Sequence, residues 1–290
     1  MKKLPLPEVN DLEILESMRD NPRLSCQPYI SQEYDILLDK YLEYAVHEGN
    51  PWSCVGSVIS NDLKTKLKYH FKKPYSDLEY IKILRSQGSP DVCPMCGSSK
   101  TGTLDHFLPQ GNYPEWIIYS KNLIPACDCN SKRGEHVRGD NINKRVLHPY
   151  FDDCLNTRIV RAEFNGDFEE PFINIVPALN EAVNEETLIF HIETVVKKST
   201  IVTWMEAKWQ SLRRRPRAII SSIPRVEREI TMGELEQFIL ETLDDKDTEH
   251  QTPNNWYSMF IYGIYLSEPA KHWLLERYNG IVTGLIDPLN

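Results

Sequence analysis

The sequence predicts an α+β chain in which mostly helical N- and C-terminal regions flank a small cysteine-organised module, with a short β-rich segment after the module. Three observations lead there. Apolar residues recur at three- and four-residue spacing from about residue 10 to 86 and again after Lys198. Between 91 and 150 that periodicity gives way to cysteine, proline, glycine and short apolar runs. Three short segments rich in β-branched and aromatic residues then follow between 158 and 195. The expected division is therefore 1–90, 91–150 and 151–290.

In the first region, Leu12, Ile14, Leu15 and Met18, and then Tyr34, Leu37, Leu38, Tyr41, Leu42 and Ala45, mark two helical faces. Asn50-Pro51 and Lys73-Pro74 interrupt the pattern. A further helix is expected from Ser76 to Leu84, with Ser76 as cap and Glu79 three residues on. The region should end at Gln87-Gly88-Ser89-Pro90. After the module, RIVRAEF (158–164), PFINIVPAL (171–179) and TLIFHIETV (187–195) read as strands separated by Asn165-Gly166-Asp167 and Asn184-Glu185-Glu186. Helices are expected at Trp204–Arg214, at Met232–Leu243 behind a Thr231 cap, at Trp256–Tyr265 and at Glu268–Tyr278. The aromatic runs NNWYSMFIYGIYL and KHWLLERY are assigned to core, because rings at helical spacing gain most by burial.

Bulk properties narrow the function classes. The N-terminal MKKLPLPEVN lacks the apolar run of a signal peptide, and no stretch approaches the roughly 18 apolar residues of a membrane span. The expectation is a cytoplasmic protein that does not engage a membrane. Seven cysteines, four of them in two close pairs, point in that setting to metal rather than disulfides, with Cys26, Cys54 and Cys154 as buried apolar residues. A net charge of −9 argues against coating nucleic acid through overall charge. Three basic islands stand out locally: Lys64, Lys66, Lys68, Lys72 and Lys73; Lys132, Arg133, Arg138, Lys144 and Arg145; and Arg213, Arg214, Arg215 and Arg217. Each is either a solvated face or part of a nucleic-acid groove.

The chemistry concentrates between Cys93 and Gly134. Cys93-Pro-Met-Cys96-Gly97 has the form of a zinc knuckle, with Gly97 permitting the tight turn. Cys127 and Cys129 complete a four-thiolate set whose structural Zn²⁺ would supply folding energy to a small module. The second pair has one intervening residue where zinc ribbons have two. Either the backbone bulges at Asp128, or one cysteine is not a ligand, or the site is vestigial. Inside the loop, Asp105 and His106 end a short segment. The Asp105 carboxylate and the Asn130 amide oxygen suit Mg²⁺ or Mn²⁺, which prefer oxygen donors. His106, off the metal, suits a general base because imidazole titrates near neutrality. Asn122 is the candidate to orient His106, through its backbone carbonyl or by fixing the loop with its side chain. Lys132 and Arg133 follow Asn130 closely enough to reach a phosphate of a nucleic acid.

The succession CxxCG, LDHFLP, NYPE, NLIPxC and CNSKRG resembles the HNH (ββα-metal) endonucleases, over about residues 91–150. The resemblance implies a ββα module with His106 as base, Asp105 and Asn130 as ligands of a catalytic Mg²⁺, Asn122 as the central Asn, and Cys93, Cys96, Cys127 and Cys129 as structural zinc ligands. It implies DNA as substrate. The pairing of DHFLP with YPE looks most like HNH proteins of bacterial mobile-element and anti-phage defence loci, some of which work beside a separate ATPase. Two rivals remain open: a zinc-ribbon module that binds nucleic acid or a partner without cutting, and a subunit that cuts only when a partner ATPase or a homo-oligomer assembles.

Overall fold

The computed structural model describes residues 1–56, 59–86, 90–99, 101–178, 181–225 and 228–289. The expected end of the first region at Gln87–Ser89, and Leu179 of the second β segment, lie outside the described residues. Four helices come first: α1 (Asp11–Asp20), α2 (Gln27–His47), α3 (Asn61–Lys72) and α4 (Glu79–Ser86). α1 starts where the Asn10 side chain accepts the Glu13 N–H, and α3 where Ser60 accepts that of Leu63. α1 buries Leu15 and Met18, and α2 buries Ile30, Leu37, Tyr41 and Tyr44. Ser76 does not cap as expected. Its hydroxyl donates to Asp77 Oδ1, and a 3₁₀ turn at Ser76–Leu78 feeds α4 instead.

The module follows as β1 (Thr103–His106), β2 (Leu123–Ala126) and the short α5 (Cys129–Arg133). The strands pair antiparallel, with Asp105 opposite Ile124 and His106 opposite Leu123. This is a ββα unit, and its connecting loop is tied to the helices before it. Trp116 Nε1 donates to Lys40 O of α2 at 2.9 Å, and the Tyr80 hydroxyl of α4 donates to Ile118 O.

A second antiparallel pair, β3 (Val160–Asn165) and β4 (Phe172–Pro177), follows. The third expected strand is not one. Residues 185–191 form α6 (Glu185–His191) and 192–196 one π turn. Asn184 accepts the Thr187 N–H, and Glu185 and Glu186 occupy the first turn, so the N-terminal chemistry is that of a helix. Leu188, His191, Ile192 and Val195 are all buried at spacings of three and four, and tertiary burial of that face outweighs the β-branched composition.

Four helices close the chain: α7 (Ile201–Arg214), α8 (Met232–His250), α9 (Trp256–Leu266) and α10 (Glu268–Val282). Thr231 caps α8 in a full capping box with Glu234. α9 is core, as expected, burying Trp256, Met259, Phe260, Ile261 and Ile264. It lies close against β3: a Cβ on Gly263 would meet Ala162 O at 2.4 Å, so only glycine permits the approach. Side chains from all three stretches of sequence join one hydrophobic core. Among the described residues the architecture is α+β, helical at both ends with two two-stranded sheets. Among the described residues no helix is long and apolar enough to cross a membrane.

Candidate metal centre and catalytic cleft

The ββα unit carries two polar clusters, one at each end. At the first, the sulfurs of Cys93, Cys96, Cys127 and Cys129 all lie within 4.8 Å of one another, buried. Cys93 and Cys129 are 3.7 Å apart, and Cys96 and Cys127 are 3.5 Å apart. Four thiolates about 2.3 Å from a tetrahedral ion stand about 3.8 Å from each other, so the set could hold a metal ion. The short Cys-Asp-Cys pair does not prevent it. Asp128 adopts a helical conformation at the start of α5, and this turn brings both flanking sulfurs inward. Hydrogen bonds from the Cys129 and Cys93 thiols hold Cys127 far below the ordinary thiol range, while the contact with Cys127 pushes Cys129 up.

The knuckle is closed from outside the module. Gly97 has φ +84°, as the tight turn requires, and a Cβ there would meet Asn254 O at 2.3 Å. Trp256, at the start of α9, donates from Nε1 to Cys96 O at 2.8 Å and from its backbone N–H to Gly97 O. His191 of α6 donates from Nε2 to Met95 O at 2.8 Å.

At the other end lies a cleft of about 180 Å³, lined by Asp105, His106, Gly111, Asn130, Arg133 and Glu135 among others. Asp105 Oδ1 accepts the His106 backbone N–H at 2.8 Å, and Oδ2 accepts the Ser131 hydroxyl at 3.3 Å. The His106 ring is 3% exposed. Its Nε2 lies 2.9 Å from Ile117 O, and because a carbonyl only accepts, that nitrogen carries the proton and Nδ1 is left to accept. Nδ1 is 4.0 Å from Asp105 Oδ1. Burial lowers the proton affinity of His106, opposed by the Ile117 carbonyl and Asp105 and assisted by the nearby charges of Arg85 and Lys68. The ring therefore rests neutral. Phe71 of α3 packs on it at 4.5 Å between centroids.

Asn130, 2% exposed, donates from Nδ2 to His106 O at 3.2 Å, while its Oδ1 is buried with no hydrogen-bond partner. Arg133 is equally buried. One terminal nitrogen donates to Phe107 O at 3.0 Å and, more weakly, to His106 O, while Nε and Nη1 have no partner. Desolvation pulls its pKa down to about 10. Lys132, placed beside it by the sequence reading, stands on the surface paired with Asp128 at 2.7 Å.

Asn122 does not offer the carbonyl that receives His106; Ile117 does. The Asn122 side chain instead fixes the loop. Its Oδ1 accepts the Leu108 N–H at 2.7 Å, and its Nδ2 donates to Leu108 O and Trp116 O, both at 3.1 Å. The Phe107 N–H adds a bond to Asn122 O. Behind it, His148 Nδ1 accepts the Tyr150 N–H, so Nε2 donates to the Tyr44 hydroxyl at 2.9 Å. The Tyr44 hydroxyl in turn lies 3.2 Å from Asn122 Oδ1. The sequence reading named Asp105, His106, Asn130 and Arg133, which meet at the cleft. It missed Ile117, Phe71, Tyr44 and His148. Ile117 acts through its backbone and carries no residue-type signal, and the others come from segments distant in sequence.

No family model matches the chain, and no solved structure matches it. Over 85 residues, 29% of this chain and 32% of the relative, it is 31% identical to the Septu protein PtuB of Bacillus thuringiensis. Over 172 residues, 52% of this chain and 57% of the relative, it is 30% identical to protein ea31 of Escherichia phage lambda. The matched stretches thus span from about a third to just over half of the length of these curated relatives, and the chain is similar to a phage protein and to a Septu protein over those stretches.

Proposed function

We propose that the chain is a metal-dependent HNH endonuclease that hydrolyses phosphodiester bonds in DNA, with Zn²⁺ in the cysteine cluster as a structural ion. The observation that carries the reading is Asn130 Oδ1, a buried acceptor with no partner, which shares a cleft with the Asp105 carboxylate and the accepting face of His106. A buried unsatisfied carbonyl costs about 1–3 kcal/mol, and a hard cation is the partner that suits it beside a carboxylate. Asp105 and Asn130 would hold Mg²⁺ or Mn²⁺, which supplies positive charge against the charge that grows on the phosphate.

The remaining work falls to the chain. His106, neutral and oriented by the Ile117 carbonyl, takes a proton at Nδ1 from the water that attacks phosphorus. Asn122 keeps the loop that carries Ile117 at its distance from β1. The unpartnered Nε and Nη1 of Arg133 face a low-dielectric environment in which a phosphate oxygen would be bound strongly. The resemblance to nucleases of mobile-element and anti-phage loci, with the similarity to a Septu protein, supports a role in defence.

A second reading has an observation of its own. His106 is almost enclosed beneath Phe71, which favours a subunit that cuts only when assembly with a partner such as an ATPase, or with further copies, opens the cleft. Plasmid cleavage by the purified chain with Mg²⁺, Mn²⁺ or chelator, beside His106→Ala, tests both. Metal-dependent cutting that is lost in the variant supports the self-sufficient nuclease. Binding of the metal without cutting favours the partner-dependent form, and cutting that persists in His106→Ala overturns the assignment of the base.

A further inference from the structure

Of the three basic islands, the second is largely consumed by the fold, and the third, with Arg214 and Arg215 exposed, stands at a different cleft. In the second, Lys132, Lys144 and Arg145 pair with Asp128, Asp140 and Asp152, Arg133 is buried, and Arg138 sits over Trp52 and donates to Pro51 O. In the third, Arg213 pairs with Glu169, Arg217 donates to Ile223 O, and the island lines a separate cleft beside α10. The first island, on α3, is different.

Lys64, Lys68 and Phe71 fall at i, i+4 and i+7, one stripe of the helix. Both ends of that stripe are pinned to the cleft. Lys64 Nζ donates to Gly111 O, a lining residue, at 2.8 Å, and the Phe71 ring packs on His106. Lys68, one turn from Lys64 and just under one from Phe71, therefore stands at the rim between them. It is half-buried and makes no hydrogen bond or ion pair among the described residues. Past Phe71, Arg85 of α4 continues the line, its guanidinium 4.6 Å from the centroid of that ring and bonded to Phe71 O at 2.8 Å. Asp105 and Glu135 are the acids of the cleft and the buried Arg133 its own cation, and the α3 stripe adds further positive charge at its rim.

We propose that this stripe is the track for the nucleic-acid backbone at the cleft, with Lys68 as its central phosphate contact and Lys64 and Arg85 at its ends. The proposal rests on the nuclease reading for its purpose, though not for its geometry. Seven residues of helix run about 10 Å, well beyond the axial rise of about 3.4 Å between successive phosphates of one duplex strand, so the track is long enough for more than one consecutive phosphate rather than one free anion. Each is an ammonium or guanidinium on a rigid helix, a contact that positions the backbone without reading bases.

Fluorescence anisotropy of labelled single-stranded and duplex oligonucleotides tests this, using the full chain without added divalent cation over a range of NaCl. Lys68→Ala should weaken binding several-fold and lower the slope of log K against log salt by about one, and Lys68→Glu should weaken it tenfold or more. Arg215→Glu, an equal change of charge in the third island, should stay within twofold of the unaltered chain. Inorganic phosphate at millimolar concentration should fail to compete. Lys68 variants that bind like Arg215→Glu, phosphate that competes, or an absence of oligonucleotide binding would each overturn the track. Binding that falls in Lys68→Glu while no metal supports cutting would keep the track and overturn the self-sufficient nuclease; cutting with unchanged binding would do the reverse.

Discussion

The two ends of the ββα unit hold comparable numbers of buried polar groups and treat them in opposite ways. At the cysteine end every sulfur faces another, and the knuckle carbonyls of Met95, Cys96 and Gly97 are received by His191 and Trp256 from the C-terminal half. At the cleft end Asn130 Oδ1 and two nitrogens of Arg133 are left over, and the wall is built by α3 from the N-terminal half. A closed set of donors stabilises a fold. An open one costs stability, and is where a ligand has something to gain. The contrast sets a cluster that could hold a metal ion apart from the cleft proposed as the working site, without reference to any relative.

Four experiments would break or sharpen that contrast. Stripping the metal with a strong chelator, or Cys93→Ser, should have the largest effect on stability, since a structural Zn²⁺ contributes on the order of 10 kcal/mol to small modules. Metal content and melting temperature should fall together. A melting point that stays put while the metal leaves would show that the cluster holds the fold without it.

Asn122→Ala comes next. It leaves the Leu108 N–H and O without partners in the interior and the Trp116 carbonyl with only the Tyr119 N–H, a loss of about 2–4 kcal/mol. The urea midpoint should shift accordingly, and the loop that carries Ile117 should loosen. A midpoint within error of the unaltered chain would mean that water replaces the side chain there.

Acid should act through His148. Burial pulls its pKa down to about 3, so the folded chain holds it neutral, while the unfolded chain binds a proton near the ordinary histidine value of about 6.5. Stability from this residue is therefore complete above pH 6.5 and is lost as pH falls from there toward 3, by about 2 kcal/mol at pH 5. His148→Gln should flatten that limb of the stability curve, and an unchanged limb would place the acid sensitivity elsewhere.

The smallest effect on stability, and the most telling, is expected from Asn130→Ala. It loses one bond to His106 O but also removes the orphaned acceptor, two terms of about 1 kcal/mol each with opposite sign. The melting point should hold or rise while metal-dependent cutting is lost. A variant that melts well below the parent would make Asn130 a structural residue and close the cleft end of the comparison.

The sequence by itself determined what depends on residue type and short spacing. The Cys93–Cys96 pair and the glycine after it pointed to a metal site, because two intervening residues let both thiolates face one point, while the shorter Cys127–Cys129 pair left open whether all four would join it. Helical periodicity located α1, α2, α4 and α7 to α10 but not α3, α5 or α6, and Thr231 marked where α8 begins. Asp105, His106 and Asn130 could be grouped because few chemistries ask for that set in that order. Tertiary structure alone decided the rest. TLIFHIETV has the composition of a strand but the buried face of a helix, and burial of that face, behind the Asn184 cap, settles it as a helix. The orientation of His106 comes from the Ile117 carbonyl, which any residue at that position could offer. Arg133, basic and next to Asn130, turned inward instead of toward solvent. Lys68 acquired its place at the cleft through contacts made by its neighbours one turn to either side, with residues about forty positions away. A sequence states which groups exist and how closely they can follow one another; which of them meet, and which are left without a partner, is settled by long-range packing.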